Sequence, residues 1–221
     1  MKKSHFMVAA AVTLLVAALV SGSLVASNMG FKLNYPLQGA GVGSLDGTNT
    51  IALPFNAQSG ITTAAALKSD IETSTGVTVT NIQRLLKADN SFEAYTGARG
   101  SVDFPLNPGE GYRVRMSGDA DYIVVGSHDP SLSVTLTGPG AGSLDGTNEY
   151  AYPYHSTATL ASELRNEIGA GVVVNIQQLL KSDNSFQAYT GARGSVDFPL
   201  VPGEAYRIRV NADVAFAPAH Y

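Results

Sequence analysis

The chain has 221 residues, carries a formal net charge of −4 and contains no cysteine. The missing thiols exclude disulfide bonds, thiolate metal sites and cysteine nucleophiles. A slightly acidic chain with scattered basic residues is also a poor binder of nucleic acid or anionic lipid.

The first 27 residues have the composition of a secretory signal peptide. Two lysines in MKKSHF precede the apolar run MVAAAVTLLVAALV, and the small residues SGSLVAS follow it. Cleavage after Ser27 gives a mature chain that begins at Asn28. The alternative is an uncleaved anchor, because the segment from Phe6 to Ala26 is just long enough to span a bilayer. We expect residues 1–27 to be a signal peptide and the protein to be exported.

Two motifs occur twice in the chain. SLDGTN is found at 44–49 and again at 143–148, an offset of 99 residues. The longer stretch AYTGARGSVDFPL is found at 94–106 and again, without one substitution, at 188–200, an offset of 94 residues. The chain therefore contains an internal duplication.

The two offsets differ because the second copy is five residues shorter than the first. The shortening falls between Pro54 and Asn81, where trimming of a loop or a helix end leaves a core intact. We expect two homologous domains, residues 28–129 and 130–221, each long enough for a modest core.

Each repeat has the same order of predicted elements. A strand, FKLNYPL or SLSVTLT, comes first; a glycine-rich bend and a second strand, TIALPF or EYAYPY, follow it. A short helix comes next, since Leu67 and Ile71 share one face at the helical period, and Gly76 ends it. In the second repeat the matching residues are Leu160, Leu164, Ile168 and Gly169.

The second half of each repeat consists of β segments joined by turns. The segments are GVTVTNIQRLL, SFEAYT, VDFPL and GYRVRM in the first copy, with turns such as ADNS, TGARGS and NPGE between them. In GYRVRM, Tyr112, Val114 and Met116 alternate with Arg113 and Arg115, which is typical of a half-buried strand with a basic outer face. AYRIRV repeats this alternation. We predict a mainly β protein with one short helix per repeat, built from two tandem antiparallel β-sandwich-like domains.

Several of these segments resemble a secreted repeat domain of bacteria and archaea. They are GTNTIALPF, GTNEYAYPY, NIQRLLKADNSFEAY and PLNPGEGYRVRM. The pattern of that domain runs roughly Gly-Trp-Asn-x-Ile-x-Leu-Pro, then a helix, then Pro-Gly-x-Gly-Tyr-x-Val. This chain has Thr48 and Thr147 where the tryptophan would stand. The resemblance implies a non-catalytic part of a surface or extracellular protein.

The SLDGTN loops offer oxygen ligands to calcium. The candidate ligands are Asp46, Asn49, Asp145 and Asn148. Each loop has only one carboxylate, however, which is fewer than a calcium loop supplies. The alternative interpretation is that Asp-Gly forms a plain turn.

The TGARGS turns carry Arg99 and Arg193. Arginine favours planar, bidentate contacts, so these two residues are candidates for an interface. The alternative is that they cap carbonyls within a tight turn. Glu110 and Glu204, which follow Pro-Gly, are expected to pair with nearby arginines.

The segment EYAYPY carries Tyr150, Tyr152 and Tyr154 at every second position. An exposed aromatic row stacks on sugar rings, so these residues are candidates for carbohydrate binding. The aligned residues of the first repeat are apolar, which favours a core position for the tyrosines instead.

The first strand of the mature chain is a candidate for exchange between molecules. Phe31, Leu33 and Tyr35 lie on it, and the C-terminal segment DVAFAPAHY has no strand after it. Docking of this strand beside the C-terminal repeat of another molecule would build filaments or sheets. The alternative is that the strand pairs within its own repeat and that Pro218 protects an edge.

The duplication favours a repeated contact over a single catalytic pocket. We expect an exported, non-enzymatic structural or adhesive protein of the cell surface or extracellular matrix, with the periplasm as another possible location. Its expected partners are other copies or surface proteins, and we expect neither a cofactor nor nucleic acid. The alternative function is a carbohydrate-binding module that uses the surface tyrosines.

Overall fold

The computed structural model describes residues 30–41, 43–57, 60–127, 129, 131–140 and 142–219. The predicted signal peptide lies outside these residues. The predicted fold class is confirmed: the protein is mainly β, and four antiparallel sheets form two similar sandwich-like units with one short helix each. Within the described residues, no helix is long and apolar enough to cross a membrane.

Repeat one places a helix against two antiparallel sheets. Its elements are β1 (Phe31–Leu37), β2 (Thr48–Ala52), β3 (Asn56–Ala57), α1 (Ala64–Thr75), β4 (Val79–Leu86), β5 (Ser91–Tyr95), β6 (Gly111–Met116) and β7 (Ala120–Ser127). The strand orders are β2-β6-β4-β5 and β1-β7-β3. Helix α1 contacts one strand of each sheet, β4 and β7, and so helps to close the core between them.

Repeat two follows the same plan with a smaller second sheet. Its elements are β8 (Val134–Leu136), β9 (Thr147–Ala151), α2 (Ala161–Ile168), β10 (Val173–Leu180), β11 (Ser185–Tyr189), β12 (Ala205–Val210) and β13 (Val214–Phe216). The strand orders are β11-β10-β12-β9 and β13-β8. The predicted domain boundary between residues 129 and 130 falls between β7 and β8.

The predicted alternation in β6 and β12 is confirmed on the inner face. Tyr112, Val114 and Met116 are buried, as are their counterparts in β12. The prediction that the arginines form a solvent-facing outer surface is wrong in part. Arg113 and Arg207 are mostly covered, because the other repeat packs over them.

Both helices lie where the sequence predicts, except that Leu160, expected on the helical stripe, precedes α2 as its N-cap and is only partly buried. Thr63 precedes α1, and its Oγ1 accepts a hydrogen bond from the amide of Ala66 at 3.2 Å. Gly76 ends α1 in the left-handed conformation, with φ 71°, which glycine adopts without strain. The predicted stripe residues Leu67 and Ile71 are fully buried.

The five-residue shortening of repeat two divides between two places. Thr63 and Leu160 make equivalent bridges, to Pro105 and Pro199, and they are 97 residues apart. Two residues are therefore lost before the helix, where repeat one has β3, and three at its C-terminal end. Trimming at these two places keeps the contact between the helix and the four-stranded sheet in both repeats.

The C-terminal strands of both repeats were not predicted. β7 pairs with β1 over seven residue pairs, from Phe31 opposite Gly126 to Leu37 opposite Ala120. β13 pairs with β8 in the same antiparallel manner, through Val214 to Phe216. β8 therefore does not pair with β7 at the junction of the repeats. The strand-exchange hypothesis assumed such a junction, and that assumption is wrong.

Two reciprocal pairs of backbone hydrogen bonds join the repeats. Residues related by the sequence offsets of 99 and 94 exchange roles in each pair. This reciprocity is the mark of an isologous interface, so the repeats are related by an approximate two-fold axis. In the first pair, Leu45 N donates to Lys181 O at 2.8 Å and Leu144 N donates to Lys87 O at 2.7 Å. In the second pair, Ala52 N donates to Gly203 O at 2.8 Å and Ala151 N donates to Gly109 O at 3.0 Å.

Candidate functional site

A cluster of charged and aromatic side chains lies where the two repeats meet. The Arg113 guanidinium lies 4.0 Å from the ring centre of Phe92, and Arg207 lies 4.3 Å from that of Phe186. Each guanidinium also lies within 6 Å of the other repeat's phenylalanine ring. Arg113 is 5.3 Å from the ring centre of Phe186, and Arg207 is 5.7 Å from that of Phe92. Equivalent residues from the two copies thus meet as one cluster at the axis.

A single carboxylate pairs with both arginines of this cluster. Glu149 of β9 is 5% exposed, and its Oε1 accepts from Arg207 Nη2 at 3.0 Å and from Arg113 Nη2 at 3.2 Å. Burial lowers the pKa of Arg113, and the nearby Glu149 opposes that shift. The counterpart of Glu149 in repeat one is Thr50, so one carboxylate serves both arginines.

The closest approach of the repeats requires a glycine. A Cβ atom on Gly111 would lie 2.3 Å from Cβ of Ala205, its counterpart in repeat two. That distance is shorter than any contact that two non-bonded carbon atoms make in a real structure. Since the two equivalent positions face each other across the axis, at most one of them has room for a methyl group.

The SLDGTN loops have a structural role, and the calcium hypothesis is not supported. Asn49 Oδ1 accepts from the amide of Gln38 at 2.9 Å, while its Nδ2 donates to the carbonyls of Gln38 and Gly47, both at 2.9 Å. Asn148 ties β9 to Thr137 and Gly146 in the same way. These amide oxygens are already engaged in joining the first two strands of each repeat.

The two aspartates of these loops face arginines. Asp46 pairs with Arg115, and Asp145 Oδ2 lies 3.3 Å from Arg209 Nε. Asp145 Oδ1 also accepts from Asn90 Nδ2 of the other repeat at 2.9 Å. Within the described part of the chain, no three histidine, aspartate or glutamate residues group as metal ligands. The four candidates Asp46, Asn49, Asp145 and Asn148 therefore fix loops and strands.

Part of the identical stretch AYTGARGSVDFPL serves the fold. Asp103 Oδ1 accepts from the amide of Ala65 in the first turn of α1 at 2.8 Å, and Asp197 does the same for Ser162 of α2 at 2.9 Å. Phe104 is buried and stacks on Tyr112, with ring centres 6.3 Å apart. The aspartate and the phenylalanine hold the end of the stretch against the helix and the core.

The other part of the stretch forms an exposed, ordered loop in each repeat. In residues 96–102 the amide of Ala98 donates to Thr96 Oγ1 at 3.1 Å, and Ser101 Oγ donates to Ala98 O at 2.8 Å. The loop at 190–196 repeats these bonds at 3.2 and 2.8 Å. We name these two segments the arginine loops.

The side chains at the tips of the arginine loops have no role in the fold. Arg99 and Arg193 are exposed and make no hydrogen bond or ion pair with the described residues, so the prediction that they cap carbonyls is wrong. Val102 is 54% exposed and Val196 is 56% exposed. The interface interpretation of the two arginines stays a prediction.

The candidate carbohydrate-binding tyrosines are not a surface row. Tyr150 and Tyr152 are 0% and 3% exposed, and both lie in the core of repeat two. Tyr154 is partly buried and stacks on Phe31 of repeat one, with ring centres 3.5 Å apart. The surface-tyrosine hypothesis is therefore wrong, because the row continues an apolar strand into the core and the junction.

The candidate exchange residues lie in contacts within the chain. Tyr35 is buried in the core of repeat one, where its hydroxyl donates to Ala52 O at 2.7 Å. Leu33 packs against that core, and Phe31 stacks on Tyr154. β1 therefore pairs within its own repeat, which was the alternative interpretation.

The glutamates of the Pro-Gly-Glu loops do not pair with arginines, contrary to prediction. Glu110 Oε2 accepts from Asn107 Nδ2 at 2.8 Å and from the Tyr112 hydroxyl at 3.2 Å. Glu204 lies 3.9 Å from Lys181 and accepts from the Tyr206 hydroxyl at 3.3 Å. Burial, aided by the adjacent glutamate, raises the pKa of both tyrosines. Their hydroxyls stay protonated and close the loops.

Sequence reasoning missed the residues of the junction. Arg113 and Arg207 lie in strands whose alternation was recognised, whereas Phe92 and Phe186 lie in segments predicted only as β. Neither pattern shows that a second repeat covers the outer face. Two features of the sequence could have indicated the junction. Residues 85–112 and 179–206 are nearly identical, and Glu149 has no charged equivalent in repeat one.

Comparison of the chain with known protein families, with curated proteins and with solved structures gave no match. The resemblance to a secreted repeat domain stays a prediction.

Proposed function

We propose that this protein is an exported, non-enzymatic adhesive or structural protein that holds a partner through its two arginine loops. The observation that carries the proposal is the pair of identical, ordered and exposed loops whose arginine and valine side chains do no work in the fold. An exposed guanidinium and an exposed apolar side chain on one short loop suit a partner that carries both an anionic group and an apolar patch.

The arrangement of the two loops supports a repeated contact. Both loops belong to one unit, because the repeats share a two-fold interface with buried hydrogen bonds and a charged cluster. Two fixed copies of one binding element bind a partner with repeated sites far more tightly than one copy does. A polymeric or lattice-like surface presents such repeated sites.

The order of the loops favours recognition over a flexible linker role. Gly97, Gly100, Gly191 and Gly194 all have positive φ angles, between 75° and 92°. Glycine allows this turn, and the threonine and serine bonds hold it in place. A loop that is already ordered loses little conformational entropy when it binds.

The test measures binding of the purified mature chain to cell-envelope preparations of the source organism. We expect Arg99→Ala and Arg193→Ala each to weaken binding, and the double variant to weaken it by roughly a hundredfold, because avidity is lost. Lys32→Ala, which removes an exposed charge from β1, is the matched control. Unchanged binding by the double variant, or an equal loss in the control, contradicts the proposal.

A further inference from the structure

The two-fold relation between the repeats breaks down beside the Pro-Gly-Glu loops. Each loop packs its glycine against the first strand of the other repeat. A Cβ on Gly203 would lie 3.0 Å from the Tyr35 ring, and a Cβ on Gly109 would lie 3.1 Å from the Val134 side chain. The two residues that contact these glycines, Tyr35 and Val134, are equivalents. Repeat two thus has a small side chain where repeat one has an aromatic ring.

A groove of about 190 Å³ opens beside Val134. Repeat one lines it with Lys87, Gly109 and Glu110, and repeat two lines it with Ser133, Val134 and Thr135. Ser133 and Thr135 are exposed, so the groove is open along one side. Its volume is below the roughly 300 Å³ at which pockets for drug-sized ligands begin. A single ring of a longer molecule is the right size.

The lysine of the groove lacks a full set of partners. Burial lowers the pKa of Lys87, and Glu110 nearby opposes that shift. The Nζ atom donates to Thr137 Oγ1 at 3.4 Å, which is long for a charged group with three donors. The equivalent Lys181 lies 3.9 Å from its glutamate, Glu204, whereas Lys87 makes no ion pair in the described residues.

The groove also offers hydrogen-bond acceptors. Glu110 uses only Oε2 for its bonds to Asn107 and Tyr112, and the Oε1 atom has no hydrogen bond within the described residues. Glu149 contributes no free charge, because Arg113 and Arg207 neutralise it. Lys87 and Glu110 remain as the charged groups of the lining that face a ligand, and because they are of opposite sign the lining does not select an ion of either sign.

We propose that this groove binds one sugar residue of a neutral glycan. A sugar hydroxyl donates and accepts at once, so neighbouring hydroxyls bridge the Lys87 ammonium and the Glu110 carboxylate. The open side along Ser133 and Thr135 lets the glycan chain continue past the bound ring. This site is distinct from the arginine loops and from the buried tyrosines.

The test uses an array of neutral oligosaccharides, namely glucan, mannan, galactan, xylan and chitin fragments, with isothermal titration of any that bind. We expect Val134→Tyr to weaken binding at least about tenfold, because a tyrosine there would lie across Gly109 as Tyr35 lies across Gly203. Lys87→Met should also weaken it about tenfold, through loss of charged hydrogen bonds. Lys181→Met, the same change at the equivalent position outside the groove, should leave affinity unchanged.

The following results would overturn the proposal. Absence of binding to every oligosaccharide does so, as does binding that neither variant weakens. Binding of free amino acids or dipeptides instead, lost in Lys87→Met, shows a zwitterion site and refutes the glycan assignment. If Val134→Tyr fails to fold by circular dichroism, the two lysine variants decide. Loss of envelope binding in the arginine-loop variants does not bear on this groove, so the two proposals fail independently.

Discussion

The two halves of each repeat differ in how far the copies have diverged. Residues 85–112 and 179–206 differ at only four positions, whereas residues 30–78 and 129–172 are much less alike outside SLDGTN. To the two-fold interface this half supplies the phenylalanines of the charged cluster and the carbonyl acceptors of both reciprocal pairs of hydrogen bonds, so one residue type must serve on either side of the axis. The first half reaches the other repeat at a few points, such as Leu45, Ala52 and Glu149, but most of its core residues pack within their own repeat and are free to change together.

Changes outside the near-identical half compensate one another. Tyr35, Ile51 and Tyr122 of repeat one correspond to Val134, Tyr150 and Phe216 of repeat two. An aromatic ring has moved from the first strand to the second, and the core stays filled. The near-identical half shows no such exchange. Two asymmetries lie near the axis: Gly111 faces Ala205, and Glu149 of the first half corresponds to the uncharged Thr50 in repeat one.

The largest expected effect follows removal of Glu149. Glu149→Ala leaves two mostly buried guanidiniums without their carboxylate, so the free energy of unfolding should fall by about 3 kcal/mol. Urea unfolding of both proteins measures this. Thr50→Ala, the same change at the equivalent position, should cost less than about 1 kcal/mol. Equal losses in the two variants would mean that the cluster does not depend on Glu149.

The contact at the axis gives the next largest effect. Gly111→Ala places two methyl groups where only one has room, and we expect a loss of about 2 kcal/mol in the free energy of unfolding. The exchange variant Gly111→Ala with Ala205→Gly keeps one methyl group at the contact and should recover most of that loss. Failure of the exchange to recover stability would place the strain elsewhere.

Two core tyrosines test the parts of the chain outside the near-identical half. The Tyr122 hydroxyl donates to Asp70 Oδ2 at 2.7 Å, whereas the buried Tyr150 hydroxyl has no hydrogen-bond partner among the described residues. Tyr122→Phe should lower the free energy of unfolding by about 1.5 kcal/mol, and Tyr150→Phe should leave it unchanged or raise it. The opposite ranking in urea unfolding would contradict the assigned hydrogen bonds.

The smallest effect separates two equivalent asparagines. Asn90 and Asn184 have φ angles of 59° and 58°, so glycine suits both positions equally. Only Asn90 is bonded to an aspartate of the other repeat, Asp145. Asn90→Gly should therefore cost about 1 kcal/mol more than Asn184→Gly in the free energy of unfolding.

The difference between the two variants should depend on pH. Hydrogen bonds from Thr147 and Asn90 hold the pKa of Asp145 below its usual range. A lowered carboxyl pKa stabilises the fold above the unfolded value, about 3.9, and that contribution is lost as the pH falls through the folded pKa. The excess cost of Asn90→Gly should accordingly be constant at neutral pH and shrink in acid. A difference that is the same at every pH would exclude Asp145 as the partner.

The sequence predicted those elements whose periodicity was visible. FKLNYPL, the helix stripe of Leu67 and Ile71, and the alternation in GYRVRM all gave strands or a helix at the expected places. β7 was missed because Ile123 and Val125 are apolar on its exposed face, so that they hide the alternation of the buried Tyr122 and Val124. Local patterns also gave no indication that one repeat covers the arginines of the other.

Cooperative unfolding tests the central claim that both repeats form one two-fold unit. Differential scanning calorimetry of the mature chain should give a single transition in which the van't Hoff and calorimetric enthalpies agree. Two separate transitions, or a van't Hoff enthalpy near half the calorimetric value, would show that the repeats unfold independently and would contradict the account.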